Sequence, residues 1–126
     1  MPDSNMPILV VDDFRTMTGI IRNLLKQLGF VDIDEASDGK QALQKMHERQ
    51  YGLVISDWNM APMSGFELLQ TVRADANLSK VPFIMITAES KTDNVSAARN
   101  AGVSNYIVKP FNATTLKGKI DAVFAD

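Results

Sequence analysis

Four short apolar runs in this chain each end in a side chain that can do chemistry. Ile8 to Val11 ends in Asp12-Asp13, and Leu53-Val54-Ile55 runs on to Asp57. Phe83 to Ile86 ends in Thr87, and Ile107-Val108 ends in Lys109-Pro110. If these ends meet, three carboxylates crowd together and repel, and partial burial sharpens the repulsion. The choices are then protonation or a neutralising cation. Every donor is a hard oxygen, backbone carbonyls near Asn59 included, with no imidazole or thiolate among them. That set suits Mg²⁺, which takes few protein carboxylates and keeps several waters. A carboxylate neutralised in this way can attack phosphorus to give an aspartyl phosphate. Phosphoryl transfer asks mainly for in-line positioning and charge neutralisation, and the Lys109 ammonium and Thr87 hydroxyl are the residue types to hold phosphoryl oxygens.

The elements that would position these residues follow from periodicity. Pro7 to Val11 reads as a buried strand with proline at its permitted first position. From Thr16 to Leu28, Met17, Ile20, Ile21, Leu24, Leu25 and Leu28 recur at helical spacing, and Gly29 supplies the stop. Val31 to Ala36 alternates, as an edge strand does. Asp38-Gly39 turns into a helix around Ala42, Leu43 and Met46, and the Asp57 strand follows. A helix carrying Phe66, Leu69 and Val72 succeeds Gly65, and a loop over 76–80 leads to Pro82 and the fourth strand. Lys91 to Ala101 is helical but poor in large apolar residues. Asn105 to Val108 is the fifth strand, and Asn112 caps a last helix that buries Leu116, Ile120, Val123 and Phe124, with Gly118 on its polar face.

Strict alternation of strand and helix with short loops predicts an α/β fold, a flavodoxin-like (βα)5 doubly wound parallel sheet of order 2-1-3-4-5. In that order the first and third strands are neighbours. Asp12, Asp13, Asp57, Thr87 and Lys109 then emerge on one edge, where ligands bind in such sheets. With 126 residues the chain makes one domain, 1–126, with residues 1–6 expected as a flexible tail. It has no cysteine, which removes disulfides and thiolate sites, and no signal peptide or membrane-spanning run. A formal charge of -2 argues against nucleic-acid binding. A cytoplasmic monomer is expected.

Each residue also has a plainer reading. Lys109 alone is a surface lysine, Thr87 a strand-end threonine and Asp12-Asp13 a solvated rim. Trp58 serves equally as a packing residue, and His47, between Lys45 and Arg49, reads as surface. The methionines read as filler. Lys109-Pro110 is a cis-peptide candidate, since only X-Pro bonds adopt cis readily. The combination is what carries weight.

That combination resembles the receiver domains of two-component response regulators, in particular those of single-domain chemotaxis regulators. The likeness rests on Asp12-Asp13, Asp57, Thr87-Ala88 and Lys109-Pro110-Phe111, and on the stretches IIRNLLKQLGF, VISDWNM and VKPF. It implies that Asp57 accepts a phosphoryl group from a chemotaxis-type histidine kinase, with Mg²⁺ held by Asp13, Asp57 and the Asn59 carbonyl and supported by Asp12. It implies that Thr87, the Ala88 backbone and Lys109 bind the phosphoryl oxygens, and that Asn59 and Glu89 tune phosphoryl lifetime. Thr87 and Tyr106 would form the switch that changes the surface of the fourth helix, fifth strand and fifth helix. The implied target is the flagellar motor switch, with a phosphatase as a further partner and no enzyme activity beyond self-phosphorylation and autodephosphorylation.

One departure stands out: proline usually follows Met60 directly in that family, and here Ala61-Pro62 stands there, with Ser64 where an acid is common before Gly65. The shift moves the pre-proline restriction onto Ala61. Three other functions compete. A phosphate sink without motor contact would keep the same site. A Mg²⁺-dependent aspartyl-phosphate phosphatase would typically place Asp-x-Asp after the first strand, whereas Asp12-Asp13 are adjacent and Asp57 lies on the third. A flavin-binding flavodoxin would need a phosphate loop where Asp12-Asp13-Phe14 stands.

Overall fold

The computed structural model describes residues 3–61, 63–87 and 92–125, with backbone alone for 92–95. Strands β1 (Ile8–Val11), β2 (Ile33–Ala36), β3 (Leu53–Asp57), β4 (Phe83–Thr87) and β5 (Asn105–Val108) alternate with helices α1 (Arg15–Gln27), α2 (Gly39–Glu48), α3 (Gly65–Ala74), α4 (Thr92–Asn100) and α5 (Ala113–Val123). The strands form one parallel sheet of order β2-β1-β3-β4-β5, as the alternation predicts.

Burial on both faces explains why β1, β3 and β4 are solidly apolar. Leu9, Val11, Val54, Phe83 and Met85 point to one side, where Ala42 and Met46 of α2 and Leu68, Leu69 and Val72 of α3 cover them. Ile8, Val10, Leu53, Ile55, Ile84, Ile86 and Ile107 point to the other, under Ile21 and Leu25 of α1 and Leu116 and Ile120 of α5. Among the described residues no helix is long and apolar enough to cross a membrane.

Local details sharpen the sequence reading. Strand β2 starts at Ile33, not Val31, because β1 offers its first partner at Ile8, and Val31 is 68% exposed. In α1 the buried positions are Thr18, Ile21 and Leu25, which turns Ile20 outward. In α3 Leu68 takes the core place expected of Phe66, whose ring instead stacks on Trp58 with centroids 5.1 Å apart. The start of α3 is a capping box: Ser64 Oγ accepts from the Glu67 N–H, and the Glu67 carboxylate accepts from the Ser64 N–H. The side chains of Asp38 and Asn112 cap α2 and α5. Within the expected tail, Met6 N donates to Asp3 O in a turn, and Met6 packs against the core beside Gly52.

Candidate functional site

Strand pairing assembles the site. Val11 pairs with Ser56, so the residues that follow, Asp12 and Asp57, come side by side. Thr87 pairs with Val108, and Lys109 N donates to Thr87 O at 2.8 Å, which carries the Lys109 side chain over the same edge. Carboxylate oxygens of Asp12, Asp13 and Asp57 lie within 4.8 Å of one another. Lys109 Nζ sits 3.0 Å from Asp57 Oδ1. Asp57 and Asp12 are 5% and 2% exposed, while Asp13 faces solvent. Thr87 is buried beside them.

The three acids are not equivalent. Asp12 Oδ1 accepts the Phe14 N–H at 3.0 Å, and its Oδ2 is buried without a partner among the described residues. Burial pushes the Asp12 carboxyl up to about 6; repulsion from Asp57 and Asp13 adds to this, against the Phe14 hydrogen bond and the Lys109 charge. A buried carboxylate with an orphaned oxygen beside two others is a centre short of positive charge. Oxygen donors of this kind fit a hard divalent cation.

The loop beyond Asp57 is held at both ends. Trp58 N donates to Ile86 O, extending the β3–β4 ladder, and Gly65 N donates back to Trp58 O, each at 2.9 Å. A Cβ on Gly65 would lie 2.0 Å from the Asp57 carbonyl oxygen, so only glycine permits this closure. Asn59 and Ala61 are exposed in the loop, and Pro62, Ala88 and Glu89 lie outside the described residues. The Lys109–Pro110 peptide bond is cis. Tyr106 stands further down β5, opposite Met85, half-buried against the α2–α3 side, with Lys119 Nζ 4.9 Å from its ring centre.

The sequence reading missed the Phe14 amide, whose signal is only an acid two residues ahead of it, and the close approach at Gly65. It also passed over a polar network at the opposite end of the sheet. There Arg49 pairs with Asp32 and Asp34, and the Tyr51 hydroxyl donates to Asp34 at 2.6 Å. The Tyr51 hydrogen bond and then the Arg49 contact hold the Asp34 carboxyl below the usual range, while burial and that carboxylate push the Tyr51 phenol up. His47 is on that side too, exposed, 3.5 Å from Asp75.

Comparison with known proteins agrees with this geometry. The response regulator receiver domain family model matches residues 8–121. The chain is 49% identical to chemotaxis protein CheY-3 of Vibrio cholerae over 122 residues, 97% of this chain and 94% of that one. It is 50% identical to chemotaxis protein CheY of Pseudomonas aeruginosa over 119 residues, 94% of this chain and 96% of that one. Among solved structures, the chemotaxis response regulator CheY4 of Vibrio cholerae superposes with a TM-score of 0.88 at 30% identity, covering 95% of this chain and 99% of that one. The chain belongs to the response regulator receiver domain family.

Proposed function

We propose that this protein is a phospho-activated switch in which Asp57 accepts a phosphoryl group from a chemotaxis-type histidine kinase. The observation that carries the reading is the buried Asp57 carboxylate at the end of β3, with the Lys109 ammonium at 3.0 Å and two more carboxylates within 4.8 Å. An Asp57 oxygen attacks phosphorus, the O–P bond forms, and the P–N bond of the phosphohistidine breaks with its electron pair returning to the imidazole. Lys109 transfers its contact from the carboxylate to a phosphoryl oxygen, and Thr87 and the Ala88 N–H donate to others. Asp12, Asp13 and Asp57, with the Asn59 carbonyl, are the residues that would hold Mg²⁺. The ion supplies neutralisation of the charge gathered there. Asn59 and Glu89, two residues after the acceptor and after Thr87, set phosphoryl lifetime. The protein is a stoichiometric acceptor, not a turnover enzyme.

Output follows from the new dianion. Thr87 is drawn to it, Tyr106 turns inward, and the surface of α4, β5 and α5 changes its partner. Two relatives named as chemotaxis proteins support the flagellar motor switch as that partner. The test of the acceptor is acetyl phosphate treatment followed by intact mass, with and without Mg²⁺. Wild type gains one phosphoryl group in Mg²⁺ and Asp57→Asn gains none. A phosphoryl adduct retained by the variant would overturn the assignment. Capture of the motor switch protein that is indifferent to beryllofluoride, a phosphoryl mimic, would remove the motor output.

A further inference from the structure

The last turn of α3 carries an arginine that the chemistry at Asp57 does not use. Arg73 Nε donates to Gly102 O at 2.8 Å. Its Nη1 donates to Ser79 O at 3.1 Å and Val81 O at 2.6 Å, and its Nη2 lies 3.4 Å from Ser104 Oγ. Among the described residues its partners are all neutral oxygens, and they belong to two separate connections. Ser79 and Val81 lie between α3 and β4, and Gly102 and Ser104 between α4 and β5. Five guanidinium N–H groups in a rigid fork can tie both down at once.

The second connection is itself tightly closed. Gly102, at φ 91°, ends α4: its N–H donates to Arg99 O, and the Val103 N–H reaches back to Ala98 O, each at 3.0 Å. That is a Schellman closure, and its outward carbonyls carry the negative end of the helix dipole. Arg73 sits against that end of α4 as well as at the end of its own helix. Ser104 extends the tie to the sheet, since its N–H donates to Phe83 O and its Oγ accepts from Phe83 N. Burial pulls the Arg73 pKa below the ordinary arginine value, and the carbonyls are what hold a cation there. Along α4 itself, of the described side chains between Ser96 and Asn100, Ala98 alone is buried.

We propose that Arg73 is a positioning residue that makes Gly102 a hinge, so that switching swings α4 about its C-terminal end while the start of β5 stays fixed. This rests on the switch reading above. A clamp at one end, with Ala98 the one buried side chain among those described from Ser96 to Asn100, turns a small displacement at the phosphoacceptor edge into a rotation of the output surface.

Residue-resolved amide exchange on the full chain tests it, with Mg²⁺ and beryllofluoride as the phosphoryl mimic and Trp58 emission as the report of mimic binding. In wild type the mimic alters exchange in the first turn of α4 and leaves Gly102, Val103 and Ser104 within about twofold. Arg73→Met raises exchange at those three amides by about tenfold or more and lets the mimic perturb them, while Arg73→Lys, with charge but no fork, falls between. Wild-type changes at Gly102 to Ser104 as large as those in the first turn of α4 overturn the hinge. So does an Arg73→Met protein whose exchange there matches wild type. Trp58 emission indifferent to the mimic overturns the phosphoacceptor reading instead, and the mimic-free comparison of wild type with Arg73→Met still decides whether Arg73 is a clamp.

Discussion

Asp12 shows how much one buried carboxylate can cost when one of its oxygens has no partner among the described residues. Its carboxyl, ordinarily near 3.8, titrates at about 6 in the fold, so between those values the folded chain binds more protons than the unfolded one. Stability therefore falls as pH rises across that window, the reverse of an ion-paired acid. Without divalent metal, urea unfolding of wild type and Asp12→Asn should diverge as pH rises from about 4 to about 7, with the variant ahead by on the order of 2–3 kcal/mol at neutral pH. Parallel curves would show that Asp12 is not strained. Millimolar Mg²⁺ should narrow the gap. At this scale the identities of Asp57, Thr87 and Lys109 were legible, because each is a polar residue ending an apolar run. The orphaned oxygen of Asp12 was not, since it depends on which way a buried carboxylate is turned by the Phe14 amide. Across the sheet, Tyr51→Phe removes the hydroxyl held by Asp34 and should lower stability by about 1 kcal/mol, read as a shift in denaturant midpoint at unchanged slope.

Helix α3 and the loop before it decide where Asp57 points. Gly65→Ala forces a methyl group into the Asp57 carbonyl. The loop must then open, and the expected loss exceeds the roughly 0.5–3 kcal/mol of ordinary substitutions, with a shift in Trp58 emission. A normally stable Gly65→Ala would mean the loop closes differently. Ser64→Ala, which removes half of the capping box, should cost only about 1 kcal/mol and leave Trp58 unaltered. The box has a sequence signature, Ser-x-x-Glu at 64–67, that the sequence reading passed over in taking Ser64 only as a departure from the usual acid. The depth of the helix was harder: with α3 starting tight at Gly65, the buried stripe runs through Leu68, Leu69 and Val72, and Phe66 is left to stack on Trp58. Periodicity gives the spacing of a stripe but not its phase, which the first turn sets. The same holds in α1, where Thr18 is buried and Ile20 is not.

Across the whole molecule the sheet is shared between two cores, because alternate residues of each inner strand belong to opposite sides. The strand order was legible since alternation and right-handed crossovers leave few solutions. The shared cores predict cooperativity. Leu69→Ala and Leu116→Ala, on opposite sides, should each cost about 2–5 kcal/mol and each keep one transition, with Trp58 fluorescence and far-ultraviolet circular dichroism coinciding. Two separated transitions in either variant would mean that the layers melt independently. The sheet has open margins as well. Strand β2 is gripped from both faces by charge, with Arg22 on Glu35 at 3.0 Å from α1 and Arg49 on Asp32 and Asp34 from the turn after α2. Such crowding of ionic side chains leaves little room for a foreign strand to dock. Replacing both arginines, as in Arg22→Ala with Arg49→Ala, would strip those pairs and uncover a backbone margin, so the colloidal stability of the protein in storage should be governed by β2, with clumping beginning at that margin before the core unfolds.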